Sequence, residues 1–302
     1  MFKLLSGFLI WIMLFTSCKP DSTYDSIFSS YENATRPIAF APELAIKGNA
    51  YKGCFSNDYS TFYFFRAIKP ESEDFRIYES TFSGKKWQEP KQISFSDSSS
   101  DLYPLASTIE DNKLYFTSYR KTASDTGVKP NADFWYSVKT NEQWTAPKPV
   151  DKVALRYNYN SQPCMTSNGT IYFTSNTKDW SKTFTYKMEY NKGEYMEPVV
   201  LDFVDQLRTT DTTKTFWEVC VAPDESYMVM TISEKGKPAA LHLSLKQNES
   251  WTKPVYIGDI IKQEMSGNFP YITRDGRFLL FTKEFSSFYV LPVKTFLQNK
   301  PV

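Results

Sequence analysis

One histidine, His242, stands among the 302 residues. A multi-histidine metal centre is therefore excluded, and a serine or cysteine nucleophile activated by imidazole would have to run through His242 alone. That residue alternates with Leu241 and Leu243, a strand pattern that points to a structural role. Cys54, Cys164 and Cys220 form an odd set spread along the chain, which does not read as a disulfide framework and fits small buried thiols better. Acid–base chemistry on a glycoside needs a carboxylate pair at a suitable separation. Asp101 and Glu218 are the pair on offer. Tyr103, Asn160, Gln162, Trp180, Trp217 and Asn268 complete a set of carboxylates, amides and aromatic rings that suits a polar ligand with apolar faces, such as a sugar or a peptide segment. Nothing in the sequence implies a cofactor or a metal.

These residues need elements to hold them, and composition says which. Lys plus Arg (35) against Asp plus Glu (34) leaves a formal charge of +1, so no global field draws nucleic acid. Aromatic residues make up 17% of the chain, which favours strands. The strand-like runs 62–65, 114–118, 171–175, 228–231 and 279–282 align with third positions at 64, 116, 173, 230 and 281, spacings of 52, 57, 57 and 51. Such a period belongs to β-propellers, whose blades are four-stranded units. Apolar residues occupy both faces of these runs, as expected of strands covered on both sides by neighbouring blades.

A second element repeats in phase: Trp87-x-x-Pro90, Trp144-x-x-Pro147, Tyr195-x-x-Pro198 and Trp251-x-x-Pro254. Proline lacks an amide hydrogen and belongs on an edge strand, so these segments read as each blade's outermost strand. An inner strand precedes each aligned run (near 103–108, 162–166, 218–222 and 269–273) and a third strand follows it (76–80, 134–138, 183–188, 240–245 and 288–293). The chain stops after the last third strand without an outer one, while residues 37–45 carry Pro42 with no strands before them. A ring of five blades, closed by an N-terminal outer strand that completes the C-terminal blade, accounts for both ends. The propeller then occupies residues 36–299.

Residues 1–17 read as an export signal, with basic Lys3, an apolar stretch over 4–15 and small Thr16-Ser17 before Cys18. That arrangement resembles the lipobox of bacterial lipoproteins, with Phe15 where the motif usually has Leu, and implies acylation of Cys18. Acyl chains would anchor the protein without a membrane-spanning helix. Lys19 directly after the cysteine resembles the pattern of lipoproteins sent to an outer membrane, so the expected address is the bacterial cell envelope, periplasmic or surface side. Residues 18–35, rich in Ser, Asp, Asn and Thr, read as a flexible tether.

The segments Tyr103-Pro104 through Leu114-Tyr115-Phe116-Thr117-Ser118, Phe269-Pro270 through Arg274-Asp275-Gly276-Arg277-Phe278, and Asn131-Ala132-Asp133-Phe134-Trp135-Tyr136 running on to Trp144 resemble the TolB-type, WD-like propeller repeat. The resemblance implies fold and compartment; the repeat has no catalytic residues of its own, and function does not transfer with it. Five blades also resemble the arabinanase-type glycosidases, which use three carboxylates, whereas only Asp101 and Glu218 stand near equivalent positions here.

In such a blade, turns between strands one and two and between three and four share one face. They are short: Asn168-Gly169, Asp224-Glu225, Asp275-Gly276 and Asn141-Glu142. The opposite face carries the long segments 119–133, 151–161, 176–182 and 203–215, and inner strands start there. Long loops on a rigid scaffold are where binding surfaces sit. The expectation is a binding or scaffold module for a protein, peptide or glycan whose ligand meets Asp101, Tyr103, Asn160, Gln162, Trp180, Trp217, Glu218 and Asn268 on that linker face. The alternative is a glycoside hydrolase or lyase working through Asp101 and Glu218.

Overall fold

The structure is a computed structural model that describes residues 22–44, 50–69, 72, 74–96, 100–121, 132–150, 159–177, 179, 182–284 and 286–298. Five antiparallel sheets stand as blades around an axis. Their inner strands are Ala50–Phe55, Asp101–Ala106, Tyr159–Met165, Lys214–Val221 and Asn268–Ile272. Each second strand is buried on both faces: all six residues of Ile171–Asn176 are buried, as are Phe62 to Phe65 within Thr61–Ala67. A strand enclosed on both sides cannot alternate polar and apolar residues, which is why these runs are continuous.

The ring closes as the chain ends required. Ile38–Phe40 lies antiparallel to Ser287–Pro292, with Ile38 opposite Val290 and Phe40 opposite Phe288. The seam it completes packs Phe40, Leu44, Phe278, Leu280, Phe288 and Val290 against Phe55, Phe62 and Phe64 of blade 1.

The outer strands come in two short pieces with the repeated proline between them, such as Gln143–Trp144 and Lys148–Pro149, both paired to the third strand Asp133–Thr140. A buried serine on the third strand holds the interruption in place. Ser80, Ser137 and Ser244 each donate to the carbonyl of the residue after the repeated tryptophan, at Gln88 (2.6 Å), Thr145 (2.7 Å) and Thr252 (2.6 Å). Short turns between inner and second strands are set by side chains that cap their own backbone: Asp58, Asn168, Asp224 and Asp275 each accept from the amide two residues on.

Two segments differ from the sequence expectation. Residues 22–35, expected to form part of a flexible tether, fold against the ring. Helix α1 (Ser22–Phe28) buries Tyr24, Ile27 and Phe28, and Tyr31 packs beside them. These four apolar residues sit at i, i+3, i+4 and i+7, a helical stripe hidden in a polar composition. Phe28 has no exposed surface and stacks on Phe278 at 4.6 Å, with the edge of Phe55 at 5.4 Å. Glu32 pairs with Arg277, whose guanidinium lies 5.2 Å over the Tyr24 ring. The second difference is residues 203–215, expected as a loop. Here helix α2 (Asp202–Thr210) buries Val204 and lays Phe203 and Leu207 on the core of blade 4. Arg208 reaches back to the carbonyl of Phe216 at 3.2 Å.

Because Phe28 is wedged between blades 5 and 1, Phe28→Ala should lower the unfolding free energy by about 3–5 kcal/mol, the range for removing a buried phenyl group. Denaturant unfolding of the protein measures it; an unchanged midpoint would return residues 22–35 to the solvent.

Candidate functional site

The inner strands share an irregularity that decides what the channel can do. Each pairs with its second strand in a register that shifts once, at Tyr51/Gly53, Leu102/Leu105, Ser161/Cys164, Phe216/Val219 and Asn268/Tyr271. In blades 2, 3 and 5 the bulge is an aromatic or amide residue followed by proline, and Tyr103, Gln162 and Phe269 take the left-handed conformation with φ of 51°, 57° and 57°. Proline is tolerated there because the inner strand is a sheet edge.

The bulges bring together residues from blades that are not neighbours. Tyr103 of blade 2 lies 5.8 Å from Phe269 of blade 5. The buried Lys52 ammonium of blade 1 donates to the Pro163 carbonyl of blade 3 at 2.8 Å and sits 6.0 Å from the Tyr103 ring centre. Between the adjacent blades 3 and 4, Gln162 Nε2 donates to Glu218 Oε1 at 3.3 Å. Contacts across the axis mean that the channel is filled at this level. Glu218 is only 4% exposed, and burial pushes its carboxyl above the usual carboxylate range while Thr231 and Lys52 oppose the shift. Burial likewise lowers the Lys52 ammonium and pushes the Cys54 thiol up to about 12, which disfavours its thiolate. Cys54, Cys164 and Cys220 are free and buried, and His242 rests with Nδ1 3.1 Å from the Ala240 carbonyl.

The remaining residues singled out from the sequence do not converge on one site. Asp101 has no exposed surface and is gripped by Arg120, which also donates to Ser118 Oγ at 2.8 Å and to the Phe95 carbonyl. Burial raises the Asp101 carboxyl, and the guanidinium works against that rise. At the equivalent place in blade 3, Asn160 donates to Asp133 Oδ1 at 2.7 Å and accepts from Ser175 Oγ at 2.5 Å. Both side chains fasten the blade seams. Asn268 is half-buried at the start of its strand. Trp217 is 45% exposed on the linker face, with its indole N–H on Ser233 Oγ at 2.8 Å. Trp180, residues 122–131 and residues 151–158 lie outside the described residues.

An open concave site lies on the other face. Between blades 1 and 2 a cleft of about 700 Å³ is walled by the turn 56–60, the turn after Ala106, the Asn141-Glu142 turn and Arg274. Asn57 donates to Asp111 at 2.5 Å across the blade seam, and Asn112 donates to the Lys139 carbonyl at 3.0 Å. Lys139 stands 3.3 Å from Glu142 and 5.6 Å from the Trp144 ring centre, with the edge of Tyr63 packed on the same indole. Arg274 crosses from blade 5 to the Thr108 carbonyl at 3.0 Å. The cleft thus offers amides, carboxylates and cations around a tryptophan. Sequence reasoning missed it because its residues are the short turns of the face opposite the expected binding surface, and their proximity depends on two blades meeting. The repeated tryptophan was the one available signal.

No protein-family model matches the chain, and no curated protein matches it. Solved propellers do. The endo-arabinase from Bacteroides thetaiotaomicron is similar over 84% of this chain and 95% of that one, at 11% identity and a TM-score of 0.53, which shows the shared fold. TolB from Acinetobacter baumannii matches over 81% of this chain and 54% of its own, with 12% identity and a TM-score of 0.47. A Hadza microbial sialidase, Hz136, covers 81% of this chain and 55% of its own at 13% identity, also with a TM-score of 0.47. The chain spans about half the length of these last two proteins.

Removing the guanidinium from a wholly buried carboxylate leaves the charge uncompensated, so Arg120→Ala should cost about 3–5 kcal/mol of stability. Lys237→Ala, at an exposed ion pair with Glu234, should leave the unfolding midpoint where it is. Equal effects would mean that the Asp101 pair is solvated.

The raised Glu218 carboxyl gives a second expectation. The folded state prefers the neutral acid, so the stability this contributes is complete in acid and is lost as pH rises through the raised value. Stability followed from acid to neutral pH should decline more steeply in the wild type than in Glu218→Gln. Parallel profiles would show that Glu218 stays charged in the folded state.

Proposed function

We propose that the protein is an exported, lipid-anchored propeller of the cell envelope that binds a glycan in the cleft between blades 1 and 2. The carrying observation is the lining of that cleft: Asn57, Asp58, Asp111, Asn112, Asn141 and Glu142 around the Trp144 and Tyr63 rings. Sugars present closely spaced hydroxyls that both donate and accept, and amides and carboxylates answer them. Their axial C–H faces are apolar, and aromatic rings answer those. The cations Lys113, Lys139 and Arg274 add sites for an acidic substituent. Anchoring rests on Cys18 after Thr16-Ser17 and on the expected export signal before it. Among the described residues no helix is long and apolar enough to cross a membrane.

The glycosidase reading finds no support in the acid pair it needs. Asp101 is committed to Arg120, and Glu218 is enclosed in the filled channel. Cleavage of a glycan by that pair is therefore not expected.

An array of envelope and plant-wall oligosaccharides supplies the ligand, and calorimetry supplies the test. Asp111→Ala and Glu142→Ala should each weaken binding of an array hit by about 1–3 kcal/mol. Trp217→Ala, on the linker face, should leave it unchanged. Loss of binding from Trp217→Ala alone would move the site to the linker face. Independently, radiolabelled palmitate should enter the wild type and not Cys18→Ser; equal labelling would remove the anchor.

A further inference from the structure

We infer that the short-turn face of the propeller, including the cleft between blades 1 and 2, is held against the lipid bilayer, and that the linker face points away from it. This inference rests on acylation of Cys18 and adds to it an orientation.

The reason is where the N-terminal segment docks and how little chain precedes it. Helix α1 lies over the short turns of blades 1 and 5. The Tyr24 ring is 4.9 Å from that of Tyr59, in the turn between the first two strands of blade 1. Phe28 inserts beside Phe55 and Phe278, which end and begin strands at the same face. The Glu32–Arg277 ion pair secures the segment that follows. With Tyr24, Ile27 and Phe28 all buried, α1 is part of the ring's own packing. The slack available to an anchor ends at its first residue, Ser22.

Only Lys19, Pro20 and Asp21 separate Ser22 from Cys18. Four Cα steps reach at most about 14 Å when fully extended. The two faces are separated by the inner strands, which are five to eight residues long. At about 3.3 Å per residue this is roughly 16–26 Å. An acyl anchor on Cys18 therefore reaches the bilayer from the short-turn face and cannot pass around the ring to let the linker face approach it. Had residues 18–35 been a free tether, either face could have met the membrane; the docking of α1 removes that freedom.

A consequence follows for the cleft. Its walls are short turns of blades 1 and 2, on the same face as α1, so it opens toward the bilayer. A ligand there is presented from the membrane side, while Trp217 looks outward.

The test places a dye at Lys86 or at Lys69, through an azide-bearing residue, in the full chain processed by its bacterial host. Both positions are exposed and both belong to blade 1, Lys86 at the short-turn face and Lys69 at the linker face. The chain is reconstituted in phosphatidylcholine vesicles carrying an acceptor dye on the headgroup. Energy transfer from position 86 should exceed that from position 69 by at least about threefold, because separations of this size fall on the steep part of the distance dependence. Equal transfer, or greater transfer from position 69, would overturn the orientation. In a parallel arm, a Cys18 thiol left free is coupled to a maleimide-headgroup lipid. That arm reads the orientation even if cells do not acylate the chain, so failure of the anchor and failure of the orientation give different results. Inserting about 20 Gly and Ser residues after Asp21 adds a coil of roughly 25 Å. The difference between the two dyes should then disappear; a difference that survives would show that the short link is not its cause.

Discussion

The pairing of Ile38–Phe40 with Ser287–Pro292 is the interaction on which the remainder of the molecule depends. Each second strand is apolar on both faces and needs a blade on either side, so a row of five blades has two ends that no blade covers. Joining the ends buries both at once. Phe40, Phe278 and Phe288 meet Phe62 and Phe64 only because the last blade has its fourth strand. An unpaired edge there would also offer backbone groups to another chain.

Ring closure with few blades brings the inner strands close together, and the bulges use up what space is left. Three of them hold a non-glycine residue in the left-handed region, which costs about 1–2 kcal/mol at each place. The compensation is a core on the axis itself, where Lys52 meets Pro163 and Tyr103, Tyr103 meets Phe269 across the ring, and Gln162 meets Glu218 of the next blade. A propeller with a filled axis has its open concave surfaces at the seams between blades. The cleft at blades 1 and 2 is one of these, and its polar walls are the turns that stop each strand pair.

The aromatic stripe of α1 serves two purposes. Phe28 fills the seam at which the ring closes, next to the strand that closes it, so the segment reinforces the least supported joint. The same docking sets where the chain before it emerges. Stability of the seam and the point where the preceding chain leaves the ring are thus one packing event.

How much of this was legible in the sequence follows from the range of the interactions concerned. Blade number, strand order and the closing strand were readable because each depends on a repeated local pattern: a two-sided apolar run, an aromatic residue with proline three places on, an end without a partner. The serine that ties the broken outer strand in blades 1, 2 and 4 lies within eight residues of its acceptor and is equally local. Asp101, Tyr103, Asn160, Gln162 and Glu218 were correctly placed on inner strands, and Glu218 and Gln162 do meet. Their exposure was not readable, because Arg120 is nineteen residues from Asp101 and Lys52 is 111 from Pro163; burial at the axis is a property of five blades together. Residues 22–35 were misread for a related reason. Polar composition predicts solvation when a segment stands alone, and four apolar side chains on one helical face override it when a matching groove exists. That groove is made by blades 1 and 5, the two ends of the ring, so only the closed tertiary structure could decide it.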